Sequence, residues 1–264
     1  AAFFVGKPHV SLEDTFNFEQ INLYKPFTKV ILTGDYVHPL KSDKKVVSYS
    51  GYHELAYLHP NRFTPDRNVL KNLGLNENEK YVILRFVSWK ASHDIGHKGI
   101  HLENKIRSVR EFEQHARVFI SSEAELSEDL KKYKIPIAPE KMHDAIAFAS
   151  LVVGESFTLL AEAAVLGTPA VLIHNTKCYY LQEHQQKYGL TFNFTESDED
   201  QTRAIEKSLE LLKTQDLKQK WARKRAQLLF DKIDVTAFMV WFIENYPQSV
   251  AIMQSNPDYQ FTFK

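Results

Sequence analysis

The stretch that most constrains this chain is residues 151–174, LVVGESFTLLAEAAVLGTPAVLIH. It opens on Leu151-Val152-Val153, an apolar run too short for a helix and rich in β-branched side chains, which predicts a buried strand. Gly154-Glu155-Ser156 breaks the run and offers Ser156 as a helix N-cap. Residues 157–166 have helical composition, and Gly167 ends them as a C-terminal glycine should. Thr168-Pro169 then turns the chain into a second apolar strand at 170–173. A strand–helix–strand unit implies a parallel sheet with a right-handed crossover. The turn before the helix leaves backbone N–H groups at a positive helix end, a natural seat for phosphate. Glu162 lies too far inside the helix to cap it, and so faces either solvent or a ligand.

A chain of 264 residues is long for one α/β domain, so two domains are expected. Lys+Arg and Asp+Glu are 33 each, a balance that points to neither nucleic acid nor an anionic membrane surface. Cys178 is the only cysteine, which excludes an intrachain disulfide and suits a reducing cytoplasm. No apolar run reaches the length of a membrane span and no signal peptide is visible. A cytoplasmic protein without a membrane span is expected, with peripheral membrane association left open.

Strands are predicted at 9–12, 29–33 and 45–49, preceded by a helix end and its Gly6 stop. A parallel sheet that begins on the tail of a helix reads as the second half of a domain. The expectation is therefore an incomplete N-terminal lobe lacking roughly a hundred residues, with an exposed edge that favours a homo-oligomer. Residues 51–67 read as an irregular connection and 68–73 as a short helix. A second lobe follows, with strands at 81–87, 117–121 and 190–194 around the central unit. Helices are predicted at 100–114, 139–150, 179–188, 199–212, 217–230 and 235–245. The expected domains are 1–75, a partial Rossmann-like lobe plus linker, and 76–264, a Rossmann-like lobe closed by C-terminal crossover helices.

The candidate functional residues lie where such sheets bind ligands, beyond the carboxyl ends of their strands. Ser88, His93 and His97 sit in the loop after the 81–87 strand, which reads as a lid. No carboxylate–histidine spacing in that loop matches a standard metal site, so no metal and no other cofactor is expected. Ser121, Ser122 and Glu123 end the next strand on the same rim. Lys141 and His143 open a helix. Glu13 and Asp14 end a strand of the first lobe.

The segment ESFTLLAEAAVLGTPAV resembles the donor-binding motif of GT-B glycosyltransferases and of the non-hydrolysing UDP-sugar 2-epimerases, through Glu162, Gly167 and Pro169. Several blocks in order, VGKPHVSLEDT, RFVSWKASHDIGHKG, ISSEAEL, PEKMHDAIAFAS and GESFTLLAEAAVLGTP, are more closely similar to one family. It comprises bacterial and archaeal GT-B-like proteins known by a domain of unknown function and is often associated with surface-polysaccharide gene clusters. Phe157 stands where such turns favour glycine, and residues 88–99 replace the glycine-rich loop of the GT-B enzymes.

The resemblance implies a GT-B-like α/β fold of two Rossmann-like lobes with parallel sheets, the N-terminal one incomplete. It implies that Glu162 binds the ribose hydroxyls of a nucleotide and that Glu155, Ser156 and Thr158 hold its diphosphate. The catalytic base would come from the first lobe, where Asp14 or Glu13 stands nearest. The partners would be a nucleotide-sugar donor and a glycan or lipid-linked acceptor, in a metal-independent glycosyl transfer of surface-polysaccharide biosynthesis. A 2-epimerase-like isomerase and a non-catalytic nucleotide-sugar-binding protein are the two alternatives.

Overall fold

The computed structural model describes residues 2–88 and 97–264. Its strands are β1 (Val10–Leu12), β2 (Val30–Gly34), β3 (Val46–Tyr49), β4 (Tyr81–Phe86), β5 (Arg117–Ser122), β6 (Leu151–Gly154), β7 (Ala170–Ile173) and β8 (Thr191–Phe194). The first six helices are α1 (Phe18–Tyr24), α2 (Leu55–Leu58), α3 (Asn68–Asn72), α4 (Leu102–Phe112), α5 (Glu128–Lys131) and α6 (Met142–Phe148). The remaining six are α7 (Phe157–Leu166), α8 (Tyr179–Gln186), α9 (Asp198–Lys213), α10 (Leu217–Asp231), α11 (Val235–Glu244) and α12 (Gln248–Ser255). None of the described helices is long and apolar enough to cross a membrane.

The chain forms two compact units. One takes in the residues up to Phe63 together with Cys178–Glu183 and Leu228–Lys264; the other is Thr64–Lys177 and His184–Gln227. The first unit is built on a three-stranded parallel sheet in the order β1-β2-β3, with Val10 opposite Val30 and Leu32 opposite Val47. Central β2 is buried throughout, whereas Leu12 on edge strand β1 is half exposed. Asn17 caps α1 by accepting the backbone N–H groups of Glu19 at 3.0 Å and Gln20 at 3.4 Å.

The second unit carries a five-stranded parallel sheet in the order β5-β4-β6-β7-β8. Leu84 lies opposite both Ile120 and Val153, and Val153 opposite Val171. Every residue of β6 and β7 is buried, as expected of parallel strands covered by helices on both faces. The chain leaves β4 for β5 in one direction and continues through β6 in the other. The strand order therefore reverses between β4 and β6, and that reversal opens the crevice in which doubly wound sheets take ligands. Gly154 belongs there for a steric reason: a Cβ on it would stand 2.2 Å from the carbonyl oxygen of Arg85.

The structure departs from the sequence reading in several local details, among them the helices α1 and α12, which were not predicted. Residues 51–67 contain the helix α2. The predicted helix over 139–150 is instead a 3-10 turn, Pro139–Lys141, followed by α6. The N–H of Met142 donates to the Pro139 carbonyl, the tighter i→i+3 pattern that helix starts often take.

Candidate functional site

Helix α7 opens at the sheet reversal. Ser156 has an extended backbone, and its Oγ accepts the N–H of Leu159 at 3.4 Å. Gly167 ends the helix with φ 81°, a left-handed conformation that glycine adopts without steric cost. Ser156 is half-buried and Thr158 exposed, so the first turn is accessible. The Phe157 ring packs on His174, just past β7, with ring centroids 4.2 Å apart. A helix start is rich in N–H donors and sits at the positive end of the dipole, which suits an anion.

Glu162 lies further along α7 and is 8% exposed. Its Oε1 stands 2.9 Å from Nε2 of His143 at the start of α6. That hydrogen bond raises the His143 pKa above its usual value, against the opposing effect of burial, with further support from the charges of Glu162 and Asp144. Lys141 lies 3.5 Å from Asp144 and 3.8 Å from Asp66. Asp144 in turn accepts the N–H of Asp66 at 2.8 Å. Of the two residues predicted at this helix start, His143 meets Glu162, while Lys141 pairs with local carboxylates.

Two buried carboxylates hold the segments that flank residues 89–96. Glu155, 1% exposed, accepts the N–H of Val87 at 2.8 Å and that of Ile100 at 2.5 Å, with the Lys105 ammonium 3.7 Å away. The N–H of Glu155 donates to the Arg85 carbonyl at 3.1 Å. Glu155 is thus placed otherwise than expected: its carboxylate ties one strand end to the start of the next helical region. Glu196, after β8, accepts His97 Nδ1 at 2.5 Å, the N–H groups of Lys98 and Gly99 at 2.9 and 3.0 Å, and that of Asn175 at 3.2 Å. Burial alone would raise its pKa, but these four donors hold it at about 2.

His97, His174 and Glu196 offer three donor atoms that all lie within 4.8 Å of one another, so among the described residues they are the group that could hold a metal. Their present contacts make them a loop anchor. His97 also meets Thr176 Oγ1 at 3.1 Å, and His174 Nδ1 accepts the Thr176 N–H at 2.9 Å. The Glu196 oxygens already serve four donors, and a cation would have to displace some of them.

On the rim beyond β4 and β5, Ser121 Oγ accepts from Arg85 at 2.9 Å, and Glu123 forms an ion pair with the same guanidinium. The Ser88 N–H reaches Glu123 at 3.4 Å. Ser122 donates to the carbonyl of Ala124 at 2.8 Å. His93 lies outside the described residues.

In the first unit, Glu13 and Asp14 follow β1 and differ in role. Glu13 is buried and accepts the Thr15 N–H and hydroxyl, the Phe16 N–H and the Tyr24 hydroxyl, at 2.6 to 3.2 Å. It braces a turn in which Phe16 has φ 56°. Asp14 is 2.9 Å from Nδ1 of His53, whose other ring nitrogen is buried with no hydrogen-bond partner among the described residues. Asp14 raises the His53 pKa despite the larger lowering effect of burial.

Sequence reasoning missed Arg85, His174, Glu196 and His53. The contacts Arg85–Ser121, His174–His97, Glu196–His97 and His53–Asp14 join residues far apart in the chain, and none of the four sits in a spacing pattern that marks it.

Residues 28–238 match the family described as "Protein of unknown function (DUF354)". The chain belongs to this family. No curated protein matches it. Among solved structures, it is similar to a putative UDP-N-acetylglucosamine 2-epimerase from Listeria monocytogenes at 15% identity and TM-score 0.57, covering 84% of this chain and 64% of that one. It is similar to S. aureus MnaA in a UDP co-structure at 12% identity and TM-score 0.62, covering 94% and 72%. It is also similar to CalG4, the calicheamicin glycosyltransferase, at 12% identity and TM-score 0.50, covering 93% and 70%. The chain spans 64% and 62% of the lengths of the first two epimerase structures it matches. At these identities the likeness establishes the fold: this DUF354 chain is an α/β protein of the GT-B-like class, with parallel sheets.

Proposed function

We propose that this DUF354 chain binds a nucleotide-sugar and transfers the sugar to a glycan or lipid-linked acceptor in surface-polysaccharide biosynthesis. The observation that carries the reading is the pairing of an accessible α7 N-terminus, at the strand-order reversal, with Glu162 on the same helix. The helix end would receive the diphosphate through Phe157 and Thr158 N–H groups and the Ser156 and Thr158 hydroxyls. Glu162 would accept hydrogen bonds from the two ribose hydroxyls, which are charge-assisted and therefore strong. As charge develops on the leaving diphosphate, the same N–H groups stabilise it, so this chemistry requires no metal. Rim residues Ser88, Ser121, Ser122, Glu123 and Arg85, together with His97, would shape the donor subsite.

Asp14 is the proposed catalytic base of the first unit, with His53 Nδ1 2.9 Å from its carboxylate. Glu13, committed to four donors, serves as the brace of that turn.

Isomerisation at C2 of a UDP-sugar is the second reading, taken from the fold shared with the epimerases of known structure. Incubation with UDP-, GDP-, CMP- and dTDP-sugars, with and without acceptor glycans, tests both. Acceptor-dependent release of free nucleotide supports the transferase, and a changed sugar supports the isomerase. Binding without turnover leaves a nucleotide-sugar-binding protein. Failure of every nucleotide to bind overturns the proposal.

A further inference from the structure

Resting on the reading of Glu162 as the ribose ligand, we propose that His143 is the positioning residue for that carboxylate and sets how strongly the protein distinguishes a ribose from a 2′-deoxyribose. Nε2 of His143 is 2.9 Å from Oε1 of Glu162. A carboxylate has about four acceptor positions, and Nε2 of His143 meets one of them. What His143 removes is freedom. Each partner that restrains the Glu162 rotamer in the free protein lowers the affinity lost to ordering that side chain on binding.

The imidazole can do this because its own backbone is fixed. The Tyr81 hydroxyl donates to the carbonyl of Ala145 at 2.5 Å, and the Thr168 hydroxyl to that of Ile146 at 2.7 Å. These bonds tie α6 to β4 and to the turn between α7 and β7. Asp144, the neighbour of His143, binds the Asp66 N–H, which secures the first turn of α6 from the other side. His143 is thus delivered to Glu162 by a rigid frame.

The arrangement also makes the discrimination depend on pH. Among the described residues, the charged groups around His143 include Glu162 from α7, Asp144 on its own helix, and Lys141, which is paired with Asp144 and with Asp66 beside α3. Below its raised pKa, His143 holds Glu162 as an imidazolium, through a charge-assisted bond. Above that pKa, neutral imidazole donates a weaker one.

The test is calorimetric titration of UDP and 2′-deoxy-UDP against the parent, Glu162→Gln, His143→Ala and His143→Gln, from pH 6 to 8.5. The ratio of the two affinities is the readout, because it cancels titration of the diphosphate common to both ligands. The parent should favour UDP by about tenfold or more, the scale of a charge-assisted hydrogen bond, with the ratio falling as pH rises. Glu162→Gln and His143→Ala should both reduce the ratio several-fold. His143→Gln, whose amide donates without titrating, should keep much of it and make it independent of pH. Equal loss of both affinities with an unchanged ratio would mean that His143 only packs, and the inference fails. A parent ratio near one overturns the ribose role of Glu162 and the inference with it. A parent that binds neither ligand overturns the functional proposal as well. Should His143→Ala not fold, the pH-flat ratio of His143→Gln decides the question.

Discussion

Asp14 Oδ2 lies 2.9 Å from His53 Nδ1, and the two residues follow different strands of one parallel sheet, β1 and β3. Both side chains are about one-quarter exposed, 27% and 25%. The carboxylate raises the imidazole pKa against the lowering that burial alone would cause. Because the folded value is above the unfolded one, the pair stabilises the fold fully below the unfolded pKa of about 6.5. That stability is lost as pH rises through the folded value. Asp14→Asn should lower the His53 titration midpoint, read from imidazole proton shifts. The parent's stability advantage over Asp14→Asn should be about 1 kcal/mol or less at pH 5.5 and smaller still at pH 8.5. An unmoved midpoint would dissolve the proposed pair.

Glu196 runs the linkage in the opposite sense. Its folded pKa, about 2, is depressed below the ordinary glutamate value. Its contribution is therefore present above the unfolded pKa of about 4.3 and is lost as pH falls towards 2. In the parent this amounts to between about 1 and 3 kcal/mol. Glu196→Gln should be less stable at pH 7 by that order and should lose less between pH 5 and pH 2.5. Chemical denaturation across that range is the measurement, and parallel acid profiles for the two proteins would refute the assignment.

Glu155→Gln puts an amide nitrogen where an oxygen now accepts the N–H of Val87 or Ile100. One bond is lost and two donors face each other in a buried place, at a cost of about 1–3 kcal/mol. Hydrogen exchange at Val87 and Ile100 should accelerate together, since one carboxylate holds both. Acceleration at neither would show that the stems are fixed by other contacts.

Gly154→Ala should be among the most damaging single changes. The new Cβ would meet the Arg85 carbonyl at 2.2 Å and the Arg85 Cβ at 2.8 Å. Neither is a flexible side-chain end, so β4 and β6 would have to separate. A loss of more than about 3 kcal/mol is expected, visible as a fall in the thermal midpoint or in soluble yield. A variant as stable as the parent would place the strands further apart than described.

The part of this protein that the sequence determined unaided is the part encoded by near neighbours in the chain. Residues 151–174 carry their strands, the Ser156 cap and the Gly167 stop in order, because periodicity, capping and left-handed glycine act over a few residues. All eight strands of the two sheets are found where β-branched runs and turn residues placed them, with only the strand ends shifted. The short helices α1 and α2 left no such pattern; they are one or two turns long and owe their form to what they pack against.

The side-chain partnerships are another matter. That His143 meets Glu162, that Glu196 gathers His97 and three backbone N–H groups, and that Asp14 finds His53 depend on which strands lie side by side. The same holds for Glu155: its position at a helix entrance was legible, but not that its carboxylate turns inward to hold Val87 and Ile100. Nothing local makes a carboxylate choose a partner 19 to 99 residues away. Sheet order and burial choose for it, because a charge removed from water must take whatever donors the fold brings within reach.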